Sequence, residues 1–309
     1  MNKKLLVIAG PTAVGKTSVG INIAQKIGGE IISADSMQVY KGLDIGTAKP
    51  TLEEQDAARH RMIDVCSPDS HYSVAEYVLA AEKEIEDVLS KGLIPIVVGG
   101  TGLYIDNLIY KNDFGECKFD PLVREKLNER AEREGGNALL RELSEIDIET
   151  ARRLHQNDVR RIVRALEIFY STGKTQSSFI KESRKNSPYE VLYVVLTTSD
   201  REVLYSRINK RVDVMINNGL LNEAENVIKS PWYSGSTASQ AIGYKEFEPF
   251  FNNTKPLEEC ITLLKQHSRN YAKRQLTWFR GKKEAVFINV DKEEKIVEKI
   301  IDLLELKGD

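Results

Sequence analysis

The sequence predicts an α/β fold: a parallel sheet with helices on both faces, carrying a helical insertion. Three observations predict it. Short, unbroken apolar runs recur along the chain, as strands buried on both faces require. Stretches of helical period alternate with them, the pattern of β-α-β units. Between Tyr110 and about Pro188 the apolar runs cease, and charged helical segments take their place.

Taken in order, Leu5 to Ala9 is the first buried strand, and a glycine-bounded turn leads from it into an amphipathic helix, Lys16 to Ile27. Glu30 to Ala34 is a second strand, ending at Asp35. Ser73-Val-Ala-Glu76 is a capping box that opens a helix, and Gly92 stops it. Ile94 to Val98 is a third strand, closed by Gly99-Gly100-Thr101-Gly102. The insertion contains helical stretches at Pro121 to Glu134 and Asp147 to Thr172. Leu192 to Leu196 returns to the sheet, helical stretches follow at Asp200 to Lys229 and Pro256 to Arg280, and Ala285 to Val290 is a last apolar run before an acidic terminal helix. The expected division is 1–112 and 189–309 for the sheet domain, with 113–188 as the insertion.

The 309 residues hold 44 Lys and Arg against 46 Asp and Glu, a formal charge of −2, so any basic surface is local. With 41% hydrophobic and 29% charged residues, disorder is excluded as the main theme. The apolar run from Leu5 to Gly10 is far shorter than the roughly 18 to 20 residues that span a bilayer. Following Lys3-Lys4, it also leaves no room for a signal peptide, so a cytoplasmic protein without membrane contact is expected. Cys66, Cys117 and Cys260 are odd in number and far apart, and the four histidines are scattered, so neither a disulfide framework nor a zinc site is indicated.

Gly10-Pro11-Thr12-Ala13-Val14-Gly15-Lys16-Thr17 matches G-x-x-x-x-G-K-[ST] between a predicted strand and a predicted helix. Its backbone amides curl around phosphate oxygens, the helix N-terminus adds a positive dipole, Lys16 adds a point charge, and Thr17 can ligate Mg²⁺. The sheet is therefore expected to be P-loop NTPase-like. The ligand is a polyphosphate or a diphosphate, and the pattern does not say which. Asp35 ends a strand, and ligands of open α/β sheets bind outside the carboxyl ends of the strands. It is a Mg²⁺ ligand through water, a base acting on a second substrate, or a surface Asp in a turn. Arg207 and Arg211, four apart on a helix, can close over a phosphate or pair with Glu202 and Asp213.

Two stretches are locally basic. Residues 151–164 hold five arginines against one acid, and residues 265–283 hold seven Lys or Arg and no acid, interleaved with Tyr271, Trp278 and Phe279. Lys265, Arg269, Lys273 and Arg280 recur at helical spacing. Concentrated cations with aromatics form the footprint of a nucleic-acid binder. A P-loop kinase of a small metabolite, or a non-catalytic RNA-binding protein, accounts for parts of this pattern.

Beside the phosphate loop the chain carries Asp35-Ser-Met-Gln-Val-Tyr40, Asp44-Ile-Gly-Thr-Ala-Lys-Pro50, Val98-Gly-Gly-Thr-Gly-Leu-Tyr104, Asn157-Asp-Val-Arg-Arg-Ile-Val-Arg-Ala-Leu-Glu167, Ala241-Ile-Gly-Tyr-Lys-Glu246 and Ala272-Lys-Arg-Gln-Leu-Thr-Trp-Phe-Arg280. In these segments it resembles, nearly end to end, the tRNA dimethylallyltransferases, also called tRNA isopentenyltransferases. The resemblance implies transfer of a dimethylallyl group from dimethylallyl diphosphate to N6 of adenine 37 of tRNA, with Mg²⁺ as cofactor. It implies Asp35 as the base, with Lys16, Thr17 and the Arg207/Arg211 pair on the diphosphate and Thr101 where the substrates meet. Ser36, Met37 and Gln38 would contact the adenine and its neighbours. Val159, Arg160, Arg161, Ile162, Val163 and Arg164, with Arg124, Lys273 and Arg274, would contact tRNA. The lack of Cys and His in the last helix implies the bacterial form without zinc, and a monomer is expected.

Overall fold

The computed structural model describes residues 3–110, 121–183 and 187–306; Cys117 and the expected edge at 112 lie outside them. The chain divides into two compact units, Met1–Leu108 with Tyr189–Asp309, and Ile109–Pro188.

The first unit is built on six strands: β1 (Lys4–Ala9), β2 (Glu30–Ala34), β3 (His60–Arg61), β4 (Pro95–Gly99), β5 (Glu190–Thr197) and β6 (Val286–Asn289). They pair in the order β3-β2-β4-β1-β5-β6, every pairing parallel. Leu6, Ile8, Ile31, Ile96, Val98, Leu192, Val194 and Leu196 form one buried cluster with α1 (Lys16–Ile27) and with Ile300 and Leu304 near the C-terminus. The alternating Leu5, Val7, Ile32 and Val97 are equally buried, so both faces of the sheet are covered. This is why the strands read as continuous apolar runs. β3 is the addition to the sequence reading: two residues at the sheet edge carry no periodic signal.

The helices that follow are α2 (Leu52–Ala57), α3 (Val74–Ser90) and α4 (Gly102–Tyr110). α3 opens on the expected capping box, Ser73 accepting the Glu76 N–H while the Glu76 side chain accepts the Ser73 N–H. After the second unit come α10 (Arg201–Asn217), α11 (Leu220–Lys229), α12 (Glu248–Phe251), α13 (Leu257–Arg280) and α14 (Ile296–Leu306). The stretch expected as one run from Asp200 to Lys229 is two helices, broken at Asn218-Gly219. Leu204 and Ile208 of α10 pack on Ala272 of α13, with Ala13 of the phosphate loop against the same cluster. That packing fixes both helices beside the loop.

The second unit is helical throughout its described residues: α5 (Pro121–Glu134), α6 (Gly136–Ile146), α7 (Ile148–Ala151), α8 (Val159–Thr172) and α9 (Gln176–Ser183). Leu127, Leu139, Leu143, Ile162, Val163 and Leu166 form its core. The run expected from Asp147 to Thr172 is interrupted between Ala151 and Val159. The Asp158 carboxylate accepts the His155 N–H at 2.9 Å, and a local side-chain bond of this kind competes with helix continuation. Asp147 caps α7 through the Thr150 N–H at 3.0 Å and ties α9 to it through the Ser177 N–H at 2.9 Å.

Candidate active site

Sheet register assembles the site. Ala9 of β1 stands opposite Gly99 of β4, and Gly99 opposite Ala34 of β2. The residues that follow, Gly10, Gly100 and Asp35, therefore leave the sheet at one level along its carboxyl edge. At about 4.8 Å per strand, Asp35 lies roughly 10 Å from the start of the phosphate loop. A cavity of about 1100 Å³ opens there, and Thr12, Ala13, Gly15, Lys16 and Thr17 form one wall. Asp35, Ser36, Met37 and Gln38 form another, and Arg207, Arg211 and Arg274 also face it.

The loop has the expected strand-to-helix form. Gly15 precedes α1 with φ +98°, a conformation closed to most side chains, which turns the following N–H groups toward the cavity. Lys16 Nζ donates to the Pro11 carbonyl at 2.8 Å. Burial, and then Arg211 beside it, push the Lys16 ammonium down to about 7, with Asp35 opposing. Arg211 donates to the Thr12 hydroxyl at 3.3 Å, and burial lowers its own very high pKa. The alternative pairing of the arginines with Asp213 is not what forms: Asp213 pairs with Lys265 at 2.6 Å. Cations thus converge on the phosphate-loop wall of a cavity whose acidic lining residues are Asp35, Asp44, Glu54 and Asp64.

Asp35 is held in place on the cavity wall. Its Oδ1 accepts the Met37 N–H at 2.9 Å and, more weakly, the Gln38 N–H at 3.4 Å. Thr101 braces the same turn, accepting the Ser36 N–H at 3.0 Å. Gly99 and Gly100 rather than Thr101 form the cavity wall there, so Thr101 stands behind the meeting point. Gly10, Pro11 and Val14 are likewise buried behind the loop surface.

Sequence reasoning missed several wall residues. Gln275 on α13 is buried and bridges two loops: its Oε1 accepts the Thr12 N–H at 2.8 Å and its Nε2 donates to the Gly100 carbonyl at 3.0 Å. Tyr271 also lines the cavity, and burial pushes its hydroxyl well up. His60, from the short β3, lines the cavity with Nδ1 against the Ala58 carbonyl at 2.7 Å. The basic-aromatic pattern of 265–283, expected to meet nucleic acid, is the only sequence signal for Gln275 and Tyr271, and His60 has none. Phe279 instead is fully buried, while Trp278 bonds to Asp106 at 3.1 Å. Arg269 donates to Asn209 at 2.7 Å, and Arg274 lies 5.6 Å above the Tyr271 ring. Lys273 is exposed.

In the helical unit the residues expected to meet tRNA divide between core and surface. Ile162 and Val163, expected to touch RNA, are 0% and 3% exposed in the core of that unit, so their side chains offer no surface. Val159 is partly buried against the same core. Arg124 and Arg164 both donate to the buried Glu167 carboxylate at 2.7 Å. Arg160 and Arg161 are the exposed cations of the 159–164 stretch.

A family model described as IPP transferase matches residues 38–282, most of the chain. The chain belongs to this family. A tRNA dimethylallyltransferase from Acetivibrio thermocellus is 45% identical over 299 residues, 96% of each chain. One from Carboxydothermus hydrogenoformans is 47% identical over 304 residues, 97% of each. Among solved structures, the full-length tRNA isopentenylpyrophosphate transferase from Bacillus halodurans superposes with a TM-score of 0.73 at 40% identity, covering 99% of this chain and 98% of that one. A eukaryotic dimethylallyltransferase acting on tRNA gives a TM-score of 0.80 at 32% identity, over 97% of this chain and 77% of that one. The IPP transferase match begins at Gln38, so the phosphate loop and Asp35 lie just ahead of it, within the span that the full-length relatives share.

Proposed function

We propose that this IPP transferase family member moves the dimethylallyl group of dimethylallyl diphosphate to N6 of adenine 37 of tRNA, giving N6-dimethylallyladenosine and diphosphate. The observation that carries the reading is the placing of Asp35 and the phosphate loop on one cavity by strand register. A phosphate loop suits a departing diphosphate as well as ATP, since charge accumulates on its oxygens in both.

The exocyclic amine of adenine is a weak nucleophile because its lone pair is delocalised into the ring. Reaction therefore needs a base at the amine and cations at the leaving group. The N6–C1 bond forms as the C1–O bond breaks, diphosphate leaves with the bonding electrons, and Asp35 takes the N6 proton. Lys16 and Arg211 neutralise the charge that develops on diphosphate, and Arg207 faces it from one turn earlier on α10. Ser36 and Met37 meet the adenine. An adenine stacked in the anticodon loop cannot reach this cavity, so it is flipped out, at a cost of about a few kcal/mol offset by contacts elsewhere. Arg160 and Arg161, and Lys273 with Arg274, supply cations for tRNA phosphates.

The residues present fit Mg²⁺. The Thr17 hydroxyl and Asp35 are hard oxygen donors on the same cavity, and among the described residues no cluster of His, Cys and carboxylates offers a softer or larger metal site. Thr17 would hold the ion, which when bound supplies charge neutralisation at the diphosphate. Among the described residues no helix is long and apolar enough to cross a membrane, and the reading places the enzyme in the cytoplasm, acting as a monomer.

The test is a pair of incubations with unmodified tRNA and Mg²⁺, one with labelled dimethylallyl diphosphate and one with ATP labelled in the γ-phosphate. Label enters tRNA only from the allylic diphosphate. Transfer or release of phosphate from ATP, with no allylic label in tRNA, would replace this reading with a kinase.

A further inference from the structure

Two of the sequence segments quoted above, Asp44 to Pro50 and Ala241 to Glu246, have no part in the chemistry so far, and one carboxylate brings them together. Glu223 on α11 accepts the backbone N–H groups of Asp44, Ile45 and Gly46 at 3.2, 2.9 and 2.9 Å, and the Tyr244 hydroxyl at 2.9 Å. Three successive N–H groups turned onto one anion form a nest, and hydrogen bonds to an ionised acceptor are about twice as strong as neutral ones. Tyr244 is fully buried, and burial followed by Glu223 pushes its hydroxyl well up, which keeps it a donor. It reaches the nest because residue 46 is glycine: a Cβ there would stand 2.7 Å from the Tyr244 Cζ. Behind it the buried Glu246 accepts the Gly243 N–H at 2.9 Å and faces His267 Nδ1 at 2.7 Å.

The far end of the same loop holds Gln38. Its Nε2 donates to the Thr47 and Ala48 carbonyls at 3.3 and 3.0 Å, while its Oε1 accepts the Ser33 hydroxyl at 3.0 Å. Those partners engage both amide protons and give the side chain one orientation. The Gln38 side chain is thus a brace for the Asp35 turn, whose N–H groups fold back onto Asp35 Oδ1.

We propose that Glu223, together with Tyr244, is a positioning residue for the transfer reaction. Glu223 does not line the catalytic cavity. It holds the 44–48 backbone so that Gln38 fixes the Asp35-Ser36-Met37 turn against the incoming adenine. The inference rests on the adenine reading of that turn given above. Lys49 ties the same loop to the Tyr40 carbonyl at 3.0 Å and to Asp64 at 2.6 Å, so the loop keeps its fold when Glu223 is removed, while the loosening passes from Asp44 and Ile45 to residue 48 through the Lys49 N–H on the Asp44 carbonyl at 2.9 Å and the Ala48 N–H on the Ile45 carbonyl at 3.0 Å.

Misplacing a reacting group by an ångström costs on the order of 100-fold in rate, so Glu223→Ala is expected to slow single-turnover transfer to tRNA by about 10- to 100-fold. The Kd for pyrophosphate stays within about twofold, because the phosphate loop and α10 are outside this path. Glu223→Gln, which keeps an oxygen for the nest, recovers most of the rate. A merely structural role would instead lower pyrophosphate affinity and the melting midpoint together with the rate. The deciding measurement is the double variant: acting through Gln38, Glu223→Ala slows the Gln38→Ala enzyme by no more than about twofold. Additive losses, or an unchanged rate in Glu223→Ala, overturn the proposal. The wild-type chain is assayed alongside, and failure of allylic label to enter tRNA there would overturn the transfer reading itself.

Discussion

Gln275 Oε1 accepts the Thr12 N–H at 2.8 Å, so a helix carrying basic residues is bonded directly to the phosphate loop. Replacing Gln275 with Leu preserves volume and leaves the Thr12 N–H and the Gly100 carbonyl without their partner. Each buried group so stranded costs about 1–3 kcal/mol. We expect a lower urea midpoint and weaker pyrophosphate binding in the same variant; an unchanged midpoint would mean that water replaces the amide.

Lys16 gives the diphosphate site a pH dependence. Burial and Arg211 hold its ammonium down to about 7 against its usual 10.5, so in the empty enzyme it is largely neutral above that pH. A bound diphosphate favours the charged form, and binding above pH 7 therefore takes up a proton. Affinity is expected to be flat below pH 7 and to fall by up to about tenfold per pH unit above it. Calorimetry in buffers of different ionisation enthalpy reads the proton directly. Lys16→Met serves as the control that corrects for the ionisation of pyrophosphate itself, and should take up less.

Asp35→Asn keeps an oxygen at the position that accepts the Met37 N–H, so the turn should survive. The amide cannot take the N6 proton. Loss of a general base typically costs about 10²- to 10⁴-fold in rate. Filter retention of tRNA should be unaltered while turnover collapses; turnover near that of the wild type would remove Asp35 from the base role.

In the helical unit the surface and the core separate. Arg160→Ala and Arg161→Ala should each weaken tRNA binding and reduce the steepness of its salt dependence by about one ion per charge. Ile162→Ala should destabilise that unit by about 2–5 kcal/mol through the cavity it leaves. Binding titrations at several salt concentrations, together with thermal melts, distinguish the two behaviours.

Much of the fold was legible because β1, β2, β4 and β5 are buried on both faces and write themselves as apolar runs, and the edge strand β6, with Phe287 exposed, still shows as a short one. β3 has two residues and no pattern to write. The break between α7 and α8 was hidden because side-chain bonds of Asp158 interrupt a segment whose apolar period continues across it. In the site, the phosphate loop and Asp35 were readable since each is set by a strand end next to it in sequence. Gln275, Tyr271 and His60 were not, because packing of α13 and pairing of β3 bring them from far along the chain. Ile162 and Val163 show the converse: a segment matched as a whole carries its core positions along with its exposed ones.

Helix α13 runs unbroken for 24 residues, and Gln275 pins it at the phosphate loop. At about 1.5 Å per residue, every side chain on it sits at a set distance from the bond that breaks. The helix is therefore a ruler graduated from the reaction centre. Inserting one residue between Arg269 and Gln275 would turn everything upstream by about 100°, swinging Lys265 away from Asp213 and Arg269 away from Asn209. Inserting four would bring the rotation back to within about 40° while moving those partners some 6 Å out of step. Phase and length on this helix can thus be varied separately.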